Sequence, residues 1–167
     1  AIVGETCTHK SELAEAISKL LNYPIINYDA FQIYKELNIG TAKPDKELLE
    51  SGRYYMYDFL SINENYDVSM YQKDSRNLLK KFENDNVIFV GGTGLYLKAA
   101  LFDYKFLDEE KMPDNYRSEE SNEKLYQILY EIDKEDALKI GNNNRKRLLR
   151  ALYIYDQHNK TKTELNE

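Results

Sequence analysis

The sequence is short of the residues that carry most metal and covalent chemistry. Cys7 is the only cysteine in 167 residues, which leaves no disulfide framework and no thiolate metal cluster. The two histidines, His9 and His158, lack any metal-ligand spacing, so no protein-bound zinc is expected. The same scarcity leaves no nucleophile–histidine–acid arrangement to argue. No apolar run approaches the roughly 20 residues that span a bilayer, and no secretory signal is visible. A cytoplasmic enzyme with no membrane partner is therefore expected. Basic excess is missing too: a formal net charge of −6 speaks against a dedicated nucleic-acid binder. Ala1, Ile2 and Val3 read as the tail of a strand, and residues 161–167 read as a polar helix cut short. A piece of a longer chain is the expectation.

What is present is a pair of glycine-bearing segments on either side of one aspartate. Gly4-Glu5-Thr6-Cys7-Thr8-His9-Lys10-Ser11 has the length and the ends of a phosphate-binding loop. In such a loop backbone N–H groups and a lysine hold a di- or triphosphate. The full pattern wants glycine where His9 stands, because glycine adopts turns that side chains resist. A helix N-terminus with an incidental glycine is the other reading. The loop's place between an apolar strand and an amphipathic helix favours phosphate binding. Lys10 would pair with a phosphate oxygen, and Ser11 would meet a magnesium ion or an oxygen.

Asp29 follows a short apolar run, Ile25-Ile26-Asn27-Tyr28, and so stands at the carboxyl end of an expected strand. Open α/β sheets place their ligand chemistry there, although an aspartate at this point can also serve as a helix N-cap. Gly91-Gly92-Thr93 likewise follows an apolar strand, residues 87–90, and precedes a helix that Thr93 could simply cap. Arg145, Lys146, Arg147 and Arg150 crowd one helix; Arg147 and Arg150 share a face and suit a phosphate, or form a solvated surface.

Apolar spacing predicts helices over residues 10–22, 68–82 and 95–102, a short helix near Ile33, Tyr34 and Leu37, and a strand over 54–60. Strand and helix alternate, which predicts an α/β class with a P-loop-type parallel sheet flanked by helices. Residues 103–120 lose the period and read as a loop or insertion, followed by helices near 122–132, 134–140 and 145–157. The expected organisation is an α/β core over 1–102, a helical insertion over 103–141, and a return to the core with the basic helix over 142–167.

These motifs, in this order, resemble the tRNA dimethylallyltransferases (isopentenyl transferases). The family's loop, Gly-Pro-Thr-Ala-Ser-Gly-Lys-Thr, is matched at Gly4, Thr6, Lys10 and the Ser11 hydroxyl. Its Asp-Ser-x-Gln-x-Tyr appears as Asp29-Ala30-Phe31-Gln32-Ile33-Tyr34. Ile39-Gly40-Thr41-Ala42-Lys43-Pro44 and Gly91-Gly92-Thr93-Gly94-Leu95-Tyr96 are intact, and Asn144-Arg145-Lys146-Arg147 continues to Arg150-Ala151 in the family manner.

The resemblance implies transfer of a dimethylallyl group from dimethylallyl diphosphate to N6 of the adenosine beside the anticodon of tRNA. It implies Asp29 as general base, with Thr93 beside it. Gly4, Thr6, Lys10, Ser11, Arg147 and Arg150 would hold the diphosphate, with Mg2+ at Ser11. Gln32, Tyr34, Lys43 and Gly92 would face the tRNA, and a monomer is expected. His9, Glu5 and Ala30 depart from the family pattern, which implies a weakened diphosphate grip. Tyr54-Tyr55 stand where the family often has a histidine pair. The competing readings are a phosphate-loop kinase of small molecules, a non-catalytic tRNA-binding paralogue, and an enzyme that prenylates free adenine nucleotides.

Overall fold

The computed structural model describes residues 1–102 and 112–165. The chain divides into two compact units, Ala1–Phe106 and Leu107–Glu167.

The first unit is built on a parallel sheet of three strands in the order β2-β1-β3: β1 (Ile25–Asn27), β2 (Tyr54–Tyr55) and β3 (Ile88–Val90). Ile26 pairs with Phe89 on one side of β1 and with Tyr55 on the other. Ile2 forms a parallel bridge to Val90, so the segment before the glycine loop lies along β3. Apolar residues on both faces fit a sheet covered on both sides. Ile25, Ile88 and Val90 pack against Ala14 of α1 (Lys10–Leu21). Ile26, Tyr28 and Phe89 pack on the opposite side, against Tyr71 of α3 (Val68–Lys81) and Tyr96 of α4 (Gly94–Leu101). The Tyr71 and Tyr96 rings stack with centroids 4.3 Å apart, a contact worth about 1 kcal/mol beyond area burial. The carboxyl ends of β1 and β3 lie side by side and deliver Asp29 and Gly91-Gly92-Thr93 to one edge, as expected of a parallel α/β sheet.

Most of the expected elements are present within a residue or two of their bounds. Two are not. No helix forms at residues 33–37, because the carbonyl of Ile33 accepts from the amides of Phe59 and Leu60 (3.0 and 3.1 Å) and is lost to any helical ladder. Tyr34 instead bridges Leu60, with Lys35 N donating to Leu60 O at 2.9 Å. The strand over 54–60 shrinks to Tyr54–Tyr55, because Met56 (φ 65°) and Asp58 (φ 52°) are left-handed and cannot continue it. Tertiary bonds override β propensity here: Asn27 Nδ2 donates to Met56 O (2.9 Å), and Lys43 pairs with Asp58 (2.7 Å). A short helix, α2 (Lys46–Leu49), follows Pro44 and carried no sequence signal.

The second unit holds α5 (Asn122–Ile132), α6 (Lys134–Ile140), α7 (Arg145–His158) and α8 (Lys162–Leu165). Leu125 and Leu129 of α5, Ala137 of α6, and Leu148, Ala151 and Leu152 of α7 form its core. Asp133 ends α5 and caps α6 through the Asp136 amide (3.0 Å), and also accepts from the Thr163 amide and hydroxyl. Of the expected loop over 103–120, residues 103–111 lie outside the described residues, and the remainder is turns.

Candidate active site

The glycine loop leaves the Ile2–Val90 bridge and enters α1 through two left-handed residues, Cys7 (φ 62°) and His9 (φ 56°, ψ 28°). The conformation at His9 is the one that glycine adopts without strain. Histidine is among the side chains that tolerate it, at a cost of about 1–2 kcal/mol. Thr8 Oγ1 donates to Glu5 O (2.8 Å), and Lys10 Nζ donates to the same carbonyl. His9 Nδ1 lies 3.2 Å from Glu12 Oε1. The Glu12 carboxyl is held below its ordinary range, first by its own backbone amide and then by His9. No side chain caps α1, and a helix start left this way offers free N–H groups and a partial positive charge to an anion.

At the end of β1 the bonds are denser and reach further along the chain. Asp29 Oδ1 accepts from Phe31 N (2.9 Å) and Gln32 N (3.3 Å), but these bonds close a turn, since no helix follows Asp29 for it to cap. Among the described residues Oδ2 accepts nothing, and it lies 2.8 Å from where a Cβ on Gly92 would sit. Buried Asn27 fixes this corner: its Oδ1 accepts from Asp29 N (2.9 Å), and its own carbonyl accepts from the Tyr71 hydroxyl (2.8 Å).

Gly91 is glycine because a Cβ would stand 2.5 Å from the Tyr28 carbonyl carbon. Thr93 does not cap α4 with its side chain. Its Oγ1 accepts from Ala30 N (3.0 Å), and its amide donates to Tyr28 O (3.1 Å). Two strand ends are thereby locked together beside one free carboxylate oxygen.

A cavity of about 520 Å3 brings Thr6, Lys10 and Ser11 of the loop to the same wall system as Asp29, Gln32 and Gly92. Gly4, Tyr34, Lys43 and Thr93 are not among the residues that line it. Gln32 is only 9% exposed and donates its Nε2 to Thr41 O (2.8 Å) and Ala42 O (3.3 Å). Lys43, its side chain 2% exposed, donates to Tyr34 O, Asn38 Oδ1 and Asp58 Oδ1.

Arg147 and Arg150 lie on the exposed face of α7 in the second unit. Their neighbour Arg145 is engaged with Glu120 O, Asn122 Oδ1, Arg117 O and Ser118 O. No group of three or more His, Cys, Asp or Glu among the described residues could hold a metal ion. A magnesium ion would fit only with the Ser11 hydroxyl and substrate oxygens as its ligands.

Sequence reasoning passed over two residues of this site. Asn27 looked like an interior strand position, and no sequence pattern reveals that its amide reaches three backbone groups. Tyr57 lines the cavity, with its phenol pushed up by burial and then by Tyr54 and Asp29, so it stays uncharged. Only its place two residues after Tyr55, in a stretch read as a strand, could have drawn notice.

A parallel sheet with a glycine loop entering the first helix and a carboxylate at the neighbouring strand end defines a phosphate-loop-type α/β protein. A family model described as IPP transferase matches residues 32–167, and the chain belongs to that family. The tRNA dimethylallyltransferase of Mycoplasmoides gallisepticum is 38% identical over 161 residues, covering 95% of this chain and 52% of that protein. That of Phytoplasma australiense is 40% identical over 153 residues, with 92% and 51% covered. The crystal structure of a tRNA isopentenylpyrophosphate transferase from Staphylococcus epidermidis is similar, with 32% identity, a TM-score of 0.56, and 96% of this chain and 55% of that one covered. A eukaryotic dimethylallyltransferase acting on tRNA has a TM-score of 0.79 at 26% identity, with 98% and 43% covered. The chain spans about half the length of the curated relatives it matches. No helix among the described residues is long and apolar enough to cross a membrane.

Proposed function

We propose that this chain carries the reaction centre of a tRNA dimethylallyltransferase, which moves a dimethylallyl group from dimethylallyl diphosphate to N6 of the adenosine beside the anticodon. The observation that carries the reading is the unpartnered Asp29 Oδ2 on the same cavity wall as Lys10 and Ser11. An exocyclic amine is a poor nucleophile, and a carboxylate within hydrogen-bond reach takes its proton as it attacks. The N6–C1 bond forms as the bond from C1 to the diphosphate oxygen breaks, and the diphosphate leaves with the electron pair. Charge gathers on that leaving group, where the loop amides and Lys10 stabilise it; to reach it, Lys10 gives up its bond to Glu5 O. Magnesium held by the Ser11 hydroxyl and the diphosphate would neutralise further charge.

Arg147 and Arg150 are assigned to the same anion, and Gln32, Tyr34, Lys43 and Gly92 to the RNA-facing side. In that assignment Gln32 and Lys43 act by holding the loop over residues 38–44 in shape, since the Gln32 Nε2 and the Lys43 ammonium are engaged within the protein. Thr93 acts by holding Ala30, and through it Asp29, in register.

The test is mass spectrometry of an anticodon stem-loop RNA incubated with the full-length protein, dimethylallyl diphosphate and magnesium. A prenyl mass gain that vanishes in Asp29→Asn, which keeps an oxygen for the amides of Phe31 and Gln32, is the expected result. No gain from wild-type protein that still binds the RNA would overturn the reading.

A further inference from the structure

Gly91 and Gly92 follow β3 side by side, and neither has a positive φ. The left-handed region that glycine favours is in use at neither, so any need for glycine lies in the space around it. The two spaces differ. A Cβ at Gly91 would meet only backbone: the Tyr28 carbonyl carbon at 2.5 Å, the Asp29 nitrogen at 2.7 Å and the Tyr28 nitrogen at 2.9 Å. A Cβ at Gly92 would meet Asp29 Oδ2 at 2.8 Å and, beyond it, only the Asp29 carboxyl carbon at 4.0 Å. A Cβ at Gly94, two residues on, would meet nothing within 4 Å. Packing of the fold thus demands the first glycine, and the carboxylate alone demands the second.

Neither side of the Gly92 contact can step away freely. On one flank Gly91 lies tight against the Tyr28 backbone. On the other, the Thr93 amide donates to Tyr28 O (3.1 Å) and its Oγ1 accepts from Ala30 N (3.0 Å). The carboxylate is held through its other oxygen by the amides of Phe31 and Gln32, and its backbone by Asn27. A methyl group at position 92 would therefore push Oδ2 off its place and cover it. Gly92 and Asp29 both line the cavity, so the room that a side chain would fill is open to a ligand.

We propose that Gly92 is a positioning residue for the transfer reaction: its missing side chain keeps Asp29 Oδ2 in place and bare, so that the acceptor amine can come within hydrogen-bond distance of it. The inference rests on the reading of Asp29 as the base, and gives the RNA-facing assignment of Gly92 a definite task.

The test is the single-turnover rate of prenyl transfer to an anticodon stem-loop RNA by the full-length protein, with dimethylallyl diphosphate and magnesium. It compares wild type, Gly92→Ala, Asp29→Asn, the double variant and Gly94→Ala. Calorimetric binding of inorganic diphosphate and melting temperatures are measured alongside. Gly92→Ala should lose about 100-fold in rate, the scale of a small misplacement of a reacting group. Its affinity for diphosphate should stay at the wild-type value, and it should melt well above Gly91→Ala. Gly94→Ala should keep the wild-type rate. In the Asp29→Asn background Gly92→Ala should cost nothing further, because residues that act through one group are not additive.

A full-rate Gly92→Ala overturns the inference, as does an additive loss in the double variant or a Gly92→Ala that melts as low as Gly91→Ala. In those outcomes an impaired Asp29→Asn leaves the reading of the base standing. Wild-type protein without transfer, or Asp29→Asn at the wild-type rate, overturns that reading and the inference with it.

Discussion

The two ends of the cavity are built by opposite means. The phosphate loop is exposed almost throughout, and its bonds are local: Thr8 to Glu5, Lys10 to Glu5, and His9 to Glu12 span no more than five residues. The Asp29 corner is held by bonds that join distant parts of the chain, with Ala30 to Thr93 spanning 63 residues, Tyr71 to Asn27 spanning 44, and Asn27 to Met56 spanning 29. A group that takes a proton in the transition state gains from being fixed beforehand. A loop that must close on a diphosphate can draw its order from the ligand. The difference teaches that the first end can change its side chains without disturbing the fixed carboxylate: the departures Glu5 and His9 lie there, whereas the departure at the second end, Ala30, keeps the backbone amide that Thr93 holds.

The sharpest way to break this contrast is a methyl group. Gly91→Ala would set a Cβ 2.5 Å from the Tyr28 carbonyl carbon and force the backbone apart. Urea unfolding should show a loss of about 3 kcal/mol. Gly4→Ala meets the rotatable Thr8 hydroxyl at 3.1 Å and the flexible Lys10 side chain at ordinary contact distance, and the same measurement should show less than about 0.5 kcal/mol. Equal losses would abolish the distinction.

Next in size is Asn27→Ala, which strips the acceptor from Asp29 N and the donor from Met56 O. Chemical denaturation should register about 2 kcal/mol. Thr93→Val keeps the shape but leaves the Ala30 amide without its acceptor, for about 1 kcal/mol; its melting temperature should fall between those of wild type and Asn27→Ala. The smallest effect has the opposite sign. His9→Gly relieves a left-handed side chain, a gain of about 1–2 kcal/mol. The added freedom of glycine in the unfolded chain removes up to about 1 kcal/mol of that gain. A net stabilisation of about 0.5 kcal/mol in thermal unfolding would sharpen the contrast.

Much of this architecture is legible from local pattern alone. The helices over α1, α3, α5, α6 and α7 follow from apolar spacing, and the apolar runs at Ile25-Ile26 and Ile88-Phe89-Val90 are strands because both sheet faces are covered. The intact strings at residues 39–44 and 91–96 announced the family, to which a kinase reading gave no account. The failures share one cause. The helix expected at residues 33–37 and the long strand at 54–60 were both decided by bonds to distant residues, Ile33 to Phe59 and Leu60, and Asn27 to Met56. No window of local sequence contains both partners of such a bond. Tyr57 was missed for the same reason, since its position depends on the two turns that those bonds create.

Asn27 also bears on how this site could diversify. Its side chain occupies the place of a backbone neighbour, accepting from one peptide and donating to two others, so the sheet edge is closed by a single amide. The backbone after Tyr55 is thereby released from ladder pairing. It can be lengthened, shortened or turned without unzipping β1 from β2. A lineage could therefore re-cut the wall that Tyr57 forms while leaving Asp29 where it is, and substrate choice could drift separately from the chemistry.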